Sequence, residues 1–234
     1  MQKATLLAGL KANPGDPIFL EPLGHLLETE QAWDELLEIF KSHHSSVPSG
    51  THQEAYVLYM LGKASVELGS MEAALPWLER SVQIRSDFPY SHHLLGRCYR
   101  HVGRLDDALK AFQACTQLAP EFPWSLLEAG EICLQRGEPK GSLQFLRSGL
   151  DRQRQQHPAD TQLFEAAITQ AEQSLARQQL AALAAELWPD RPALSDLKEL
   201  NVLDQYRLSL HRFRRLLDRV ESVSGEQAGT ERST

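Results

Sequence analysis

Apolar positions recur at intervals of three and four along most of the chain, and polar clusters holding Gly or Pro interrupt them. Leu95, Gly96 and Tyr99 share one helical face; Gly103 interrupts, and Leu105, Ala108, Leu109 and Phe112 resume the period. This spacing predicts a helix, a tight turn and a second helix over one unit. Pro89 suits the first helical turn, where its missing N–H costs nothing, and Gly103 suits the left-handed cap that ends the first helix. The same pattern stands 34 residues before and 34 after, as "DFPYSHHLLG" from Asp87 and "EFPWSLLEAG" from Glu121 make plain. Leu61, Leu95 and Ala129 precede Gly62, Gly96 and Gly130, and Gly69, Gly103 and Gly137 follow seven residues later. Ala74, Ala108 and Ser142 then align, followed by Leu78, Phe112 and Leu146, and by Ser81, Cys115 and Gly149. Gly96 and Ala108 are expected to be small because the two helices cross there. One such pair cannot bury its apolar face alone, so neighbouring pairs must stack.

The flanks are less regular. "TEQAWDELLEIF" (29–40) reads as the second helix of a further pair, with "PIFLEPLGHLLE" from Pro17 as the first, although Pro22 is a poor interior residue. Residues 1–50 are expected to form a degenerate N-terminal helical repeat and loop. Residues 159–188 predict a long capping helix or helix pair, with an apolar stripe through Leu163, Ala167, Ala171 and Leu175. Beyond "WPDRP", residues 193–222 predict an amphipathic helical segment whose seam runs through Leu203, Tyr206, Leu210, Phe213, Leu217 and Val220. Behind it lie Arg207, Arg212, Arg214, Arg215 and Arg219. Three readings follow: the solvated basic face docks on the acidic array, the seam mediates self-association, or the segment meets an acidic partner. Residues 223–234 are expected to be disordered.

The three regular copies, 55–88, 89–122 and 123–156 within a segment 53–156, resemble the tetratricopeptide repeat. Leu95-Gly96, Tyr99, Ala108, Phe112, Cys115 and Pro120 carry the likeness most fully. Ser65 and Cys133 depart from it where an aromatic is usual, and Ser142 and Gly149 where Ala is usual. The resemblance implies an all-α fold: a right-handed α-solenoid of helix-turn-helix repeats with a C-terminal helical cap. It also implies a concave groove, lined by the first helix of each pair, that binds peptide segments. The expected role is a non-enzymatic protein–protein interaction scaffold or adaptor. The alternative is an accessory or assembly-factor module serving an enzyme, such as a glycosyl-, methyl- or sulfotransferase, or a larger complex.

In the second copy His92, Leu95, Gly96 and Tyr99 form the packing face. Tyr90, His93, Arg97, Arg100 and His101 lie on a face roughly 140° away, which by the resemblance lines the groove. Their counterparts are Tyr56, Tyr59 and Lys63 in the first copy, and Trp124, Leu127 and Glu131 in the third. Tyr56, Tyr90 and Trp124 give one aromatic per repeat, and Lys63 and Arg97 occupy equivalent places. Aromatic rungs beside cations suit an extended segment with apolar anchors and carboxylates, hence an acidic peptide or C-terminal tail. Each pattern has a plainer reading: the aromatics seal seams between repeats, and the charges are a solvated face. The groove holds no Asn, so the Lys-and-Asn carboxylate clamp of chaperone-binding repeats does not carry over.

Composition narrows the function classes. A net charge of −7, with 3 Lys against 7 Asp and Glu in the first 50 residues, argues against a nucleic-acid binder. No apolar run approaches the roughly 18 residues of a transmembrane helix, and the first residues do not predict a secretory leader. Three cysteines in no metal-binding spacing suit a reduced, cytoplasmic setting, with Cys115 and Cys133 as core filler. His43-His44 and His92-His93 are adjacent and point apart, while His93 and His101 lie two turns (about 12 Å) from each other, too far to share an ion. With no phosphate loop, nucleophile elbow or zinc-protease motif, neither enzymatic activity nor a metal or cofactor is expected.

Overall fold

A computed structural model describes residues 2–187. The amphipathic segment 193–222 and the tail 223–234 lie outside the described residues. Those described form ten helices and no strand: α1 (Gln2–Ala12), α2 (Pro17–Thr29), α3 (Trp33–His44), α4 (His52–Glu67), α5 (Met71–Ile84), α6 (Pro89–His101), α7 (Leu105–Leu118), α8 (Trp124–Gln135), α9 (Pro139–Gln156) and α10 (Gln162–Leu187). The chain divides into two compact units, Met1–Glu172 and Gln173–Thr234; of the second, only α10 residues 173–187 are described.

The first unit is an all-α helical-repeat solenoid. Helices pair as α2–α3, α4–α5, α6–α7 and α8–α9, each second helix also packs on the next pair's first helix, and α1 packs on α2. The turns inside the regular pairs share one device. Gly69, Gly103 and Gly137 have φ of 76°, 79° and 74°, which only Gly adopts without a Cβ penalty. The next residue then reaches back to the last turn, as Arg104 N donates to the Tyr99 carbonyl at 2.8 Å. The α2–α3 turn makes the same bond, from Ala32 N to the Leu27 carbonyl at 2.9 Å, but with Gln31 at φ 55° in the glycine's place.

Within each pair a first-helix glycine lies under a large side chain of the second helix. A Cβ at Gly62, Gly96 or Gly130 would fall 2.5, 2.7 and 2.6 Å from Leu78, Phe112 and Leu146. At the crossing of α6 and α7, Gly96 makes room for the Phe112 ring and Ala108 is fully buried at 0% exposure; in the third copy a Cβ at Gly130 would also come within 3.4 Å of the Ser142 carbonyl oxygen. A Cβ at Gly24 would likewise fall 3.0 Å from the Phe40 ring, and 2.6 Å from the Tyr56 hydroxyl. Leu20, Leu23, Leu27, Leu36 and Phe40 join Val57, Met60 and Leu61 in one core, so the irregular pair is welded to the first regular one.

The chain leaves this first pair through the loop after α3, which ends in a side-chain cap on α4. Thr51 Oγ1 accepts from Glu54 N, and the Glu54 carboxylate accepts from Gly50 N. At the other end α10 is a single helix. Its buried residues in the first unit are Phe164, Ala167 and Ala171, whereas Leu163 of the predicted stripe is 58% exposed. Cys98, Cys115 and Cys133 are buried core residues, and burial pushes each thiol up, Cys98 to about 11.

Candidate partner-binding groove

Two Phe-Pro dipeptides place the aromatic wall of the groove. A residue before Pro is driven to extended backbone, and Phe88, at φ −98° and ψ 102°, obeys this before α6 begins at Pro89. Its ring meets Tyr59 edge-on at 4.9 Å and Tyr90 at 5.5 Å, and the Arg85 guanidinium lies 4.9 Å from its centre. Phe122 precedes Pro123 in the next copy; its ring meets Tyr90 at 5.6 Å and His93 at 5.0 Å. The row Tyr59–Phe88–Tyr90–Phe122–His93 thus runs unbroken from α4 across α6 to the start of α8.

Below this row lies a cavity of about 730 Å³, lined by His25 and Glu28 of α2, by Tyr56, Tyr59 and Lys63 of α4, and by Arg85, Phe88 and Tyr90. A shallower hollow of about 430 Å³ shares His25 and adds Pro17, Ile18, Glu21 and Pro22. Ile18 is 71% exposed there, so the two hollows together present an apolar step and an aromatic one. Tyr56 is half-buried, edges Phe40 at 6.3 Å, and donates its hydroxyl to the Glu21 carbonyl at 3.3 Å. Burial, reinforced by the charge of Glu21 for Tyr56 and of Glu28 for Tyr59, holds both phenols well above their usual range. Both therefore remain hydrogen-bond donors.

Each cation of this face is paired with a carboxylate of a neighbouring first helix. Lys63 donates to Glu28, its ammonium 5.9 Å from the Tyr59 ring centre and 6.0 Å from that of Trp33. Arg97 faces Glu67 at 3.9 Å, and Arg100 binds Glu128 together with Glu131, the latter at 2.7 Å. These pairs join α2 to α4, α4 to α6 and α6 to α8.

Four of the residues predicted to bind a partner, Tyr56, Tyr59, Lys63 and Tyr90, converge on the main cavity. Arg97, Arg100 and Glu131 are engaged in ion pairs outside its lining. Three others pack in joints. Trp124 lies 5.8 Å from Phe164 of α10, and Leu127 is buried at 9% exposure. His93 is wedged between Phe112 and Phe122 with its Nδ1 2.9 Å from Ser125 Oγ. Burial first, and the Arg97 charge second, hold its imidazole down to about 4.

Arg85, Phe88, His25 and Glu28 were not singled out from the sequence. Phe88 had a visible signal, since the acid-Phe-Pro-aromatic-Ser string recurs at the repeat interval. For α2, the signal is alignment of Gly24 with Gly62, a step of 38 rather than 34, which sets α2 against α4 as its neighbouring first helix.

Two profiles of the tetratricopeptide repeat family match the chain in tandem, at residues 55–88 and 89–122. A search of the curated proteins gives no match. Among solved structures the fold is similar to MamA 41-end from Desulfovibrio magneticus RS-1, with a TM-score of 0.57 and 19% identity over 66% of this chain and 85% of that one. It is also similar to the nearly identical TPR-like repeats of a putative kinesin light chain from Podosopora anserina, with a TM-score of 0.56 and 17% identity over 74% of this chain and 93% of that one. At such identities the likeness is one of fold. The tandem repeat matches, the glycine turns at constant interval and the stacked helix pairs together make this chain a tetratricopeptide-repeat protein.

Proposed function

We propose that the protein is a protein–protein interaction scaffold without catalysis of its own, and that it holds an extended acidic segment of a partner in the groove between α2, α4 and α6. The convergence of Tyr56, Tyr59, Phe88 and Tyr90 with Lys63 and Arg85 around one cavity supports this reading. Rings offer apolar area at small cost in side-chain entropy, and the two cations can answer a carboxylate. A volume of about 730 Å³ accommodates a few side chains rather than a folded domain. The buried thiols support a reducing setting such as the cytoplasm.

Affinity capture from native lysate tests the reading, with wild type beside a Lys63→Glu, Arg85→Glu double variant. A partner retained by wild type and lost from the variant is the expected result. Equal retention of the same partner by both would place the functional surface elsewhere.

A further inference from the structure

Lys63 borders the main cavity, and a carboxylate of the chain already occupies it. Glu28 belongs to α2, 35 residues away, and accepts directly from the Lys63 ammonium. The pair is only partly covered, with side-chain exposures of 20% for Lys63 and 34% for Glu28. The Lys63 ammonium also lies 6.0 Å from the Trp33 ring centre and 5.9 Å from that of Tyr59, and Glu28 is the more exposed partner of the two. His25 Nδ1 lies 4.0 Å from the other Glu28 oxygen.

We infer that Glu28 is a built-in competitor at the anion position of the groove, and that an acidic side chain of the bound segment displaces it from Lys63. The inference rests on the peptide-binding reading above and specifies the segment further. The Lys63 ammonium lies 5.9 Å from the Tyr59 ring centre, and Tyr59 and Phe88 stand 4.9 Å apart. On an extended strand, side chains two residues apart project to the same side at roughly 6–7 Å. The occupant is therefore an extended segment with an acidic residue and, two positions away, a large apolar one seated against Tyr59, Phe88 and Tyr90. Glu28 sets a threshold: neutral segments gain nothing at Lys63, and acidic ones bind only by outcompeting the internal carboxylate.

Fluorescence polarisation tests this on the full chain. The probe is a library of labelled heptapeptides with Asp or Glu fixed two residues from Phe or Leu, beside matched peptides carrying Asn or Gln at the acidic position. Glu28→Gln should bind the acidic peptides about fivefold more tightly, the change expected on removing a competing, partly exposed ion pair. The amide peptides should show no such gain, and Lys63→Gln should lose the preference for acid. Glu38→Gln removes the same charge from an exposed position of α3 that lines neither hollow, and should change affinity by less than about twofold. An unchanged or weaker Glu28→Gln, or a Glu38→Gln gain of equal size, would overturn the exchange while leaving groove binding intact. If neither wild type nor Glu28→Gln binds any library member, the groove reading itself fails and the exchange falls with it. Far-UV circular dichroism on each variant confirms that the helices are retained.

Discussion

His93 should make this solenoid acid-sensitive at one joint. In the folded chain its ring lies between Phe112 of α7 and Phe122 before α8, and its Nδ1 meets the fully buried Ser125 hydroxyl. Arg97 of its own helix is the charge that opposes protonation. The folded chain therefore keeps the imidazole neutral down to about pH 4, whereas the unfolded chain takes up a proton near 6.5. Above about pH 7 both states are neutral and the group contributes no pH dependence. Between 6.5 and 4 the unfolded state binds more protons, so stability falls as the pH falls. The full interval corresponds to an upper limit of about 3 kcal/mol, and the slope cannot exceed roughly 1.4 kcal/mol per pH unit.

The assay is urea unfolding of wild type and His93→Gln at pH 7.5, 6.5, 5.5 and 4.5, read by far-UV circular dichroism. Gln can still engage Ser125 but cannot titrate in this range. Carboxylates and the other eight histidines also contribute to the raw curves, so the informative quantity is the wild-type-minus-variant difference. At pH 7.5 the variant should be less stable, because it loses ring packing; by pH 4.5 that deficit should shrink by about 2–3 kcal/mol or reverse. A difference constant to within about 0.5 kcal/mol across the series would show that His93 titrates alike in both states, and would refute the reasoning.

Three substitutions test the repeat geometry. Gly149→Ala should destabilise by about 1–3 kcal/mol despite the better helix former, because the new Cβ would lie 2.4 Å from the Phe164 ring; Phe164→Leu in the same chain should return part of the loss, measured by chemical unfolding. Ser142→Ala should stabilise by about 1 kcal/mol in the same assay, since the Ser142 hydroxyl is fully buried with no hydrogen-bond partner. Gln31→Gly should raise the thermal midpoint, by the equivalent of about 0.5–1 kcal/mol, by relieving the positive φ at the α2–α3 turn.

The solenoid was legible because its local demands repeat. A left-handed cap every 34 residues asks for Gly69, Gly103 and Gly137, and a crossing asks for Gly62, Gly96 and Gly130 beneath a large partner. The departures turn out to have local reasons. Gly149 replaces the small residue of the other copies because α10 brings Phe164 against it, while Ser65 returns its hydroxyl to the Leu61 carbonyl at 2.8 Å within its own helix. Periodicity could not tell which ring at equivalent positions stays open. Tyr56 and Tyr90 are 34 residues apart, yet one is tied to the Glu21 carbonyl and the other is 45% exposed between two Phe rings. Trp124, the third of the series, is covered because the cap supplies Phe164.

The charges show why a basic cluster in sequence need not be a basic surface. Lys63, Arg97 and Arg100 are counted on successive first helices, but each carboxylate that answers them lies on the neighbouring first helix: Glu28 for Lys63, Glu67 for Arg97, Glu128 and Glu131 for Arg100. Those separations of 28 to 35 residues approximate one repeat, so reading charges between copies, rather than within one, exposes the ladder. The ladder also separates two kinds of cation. Where a pair stands away from the cavity, as with Arg97 and Arg100, it contributes to holding neighbouring repeats in register, and an exposed pair contributes at most about 1 kcal/mol. Where the pair borders the cavity, as with Lys63 and Glu28, the proposed exchange would make the same contact the one that an incoming carboxylate displaces. That cavity lies where the step between first helices is 38 residues instead of 34, so its lining combines an irregular helix with a regular one. The repeat supplies the frame, and the break in the repeat supplies the cavity's distinct lining of His25, Glu28, Tyr56, Tyr59 and Lys63.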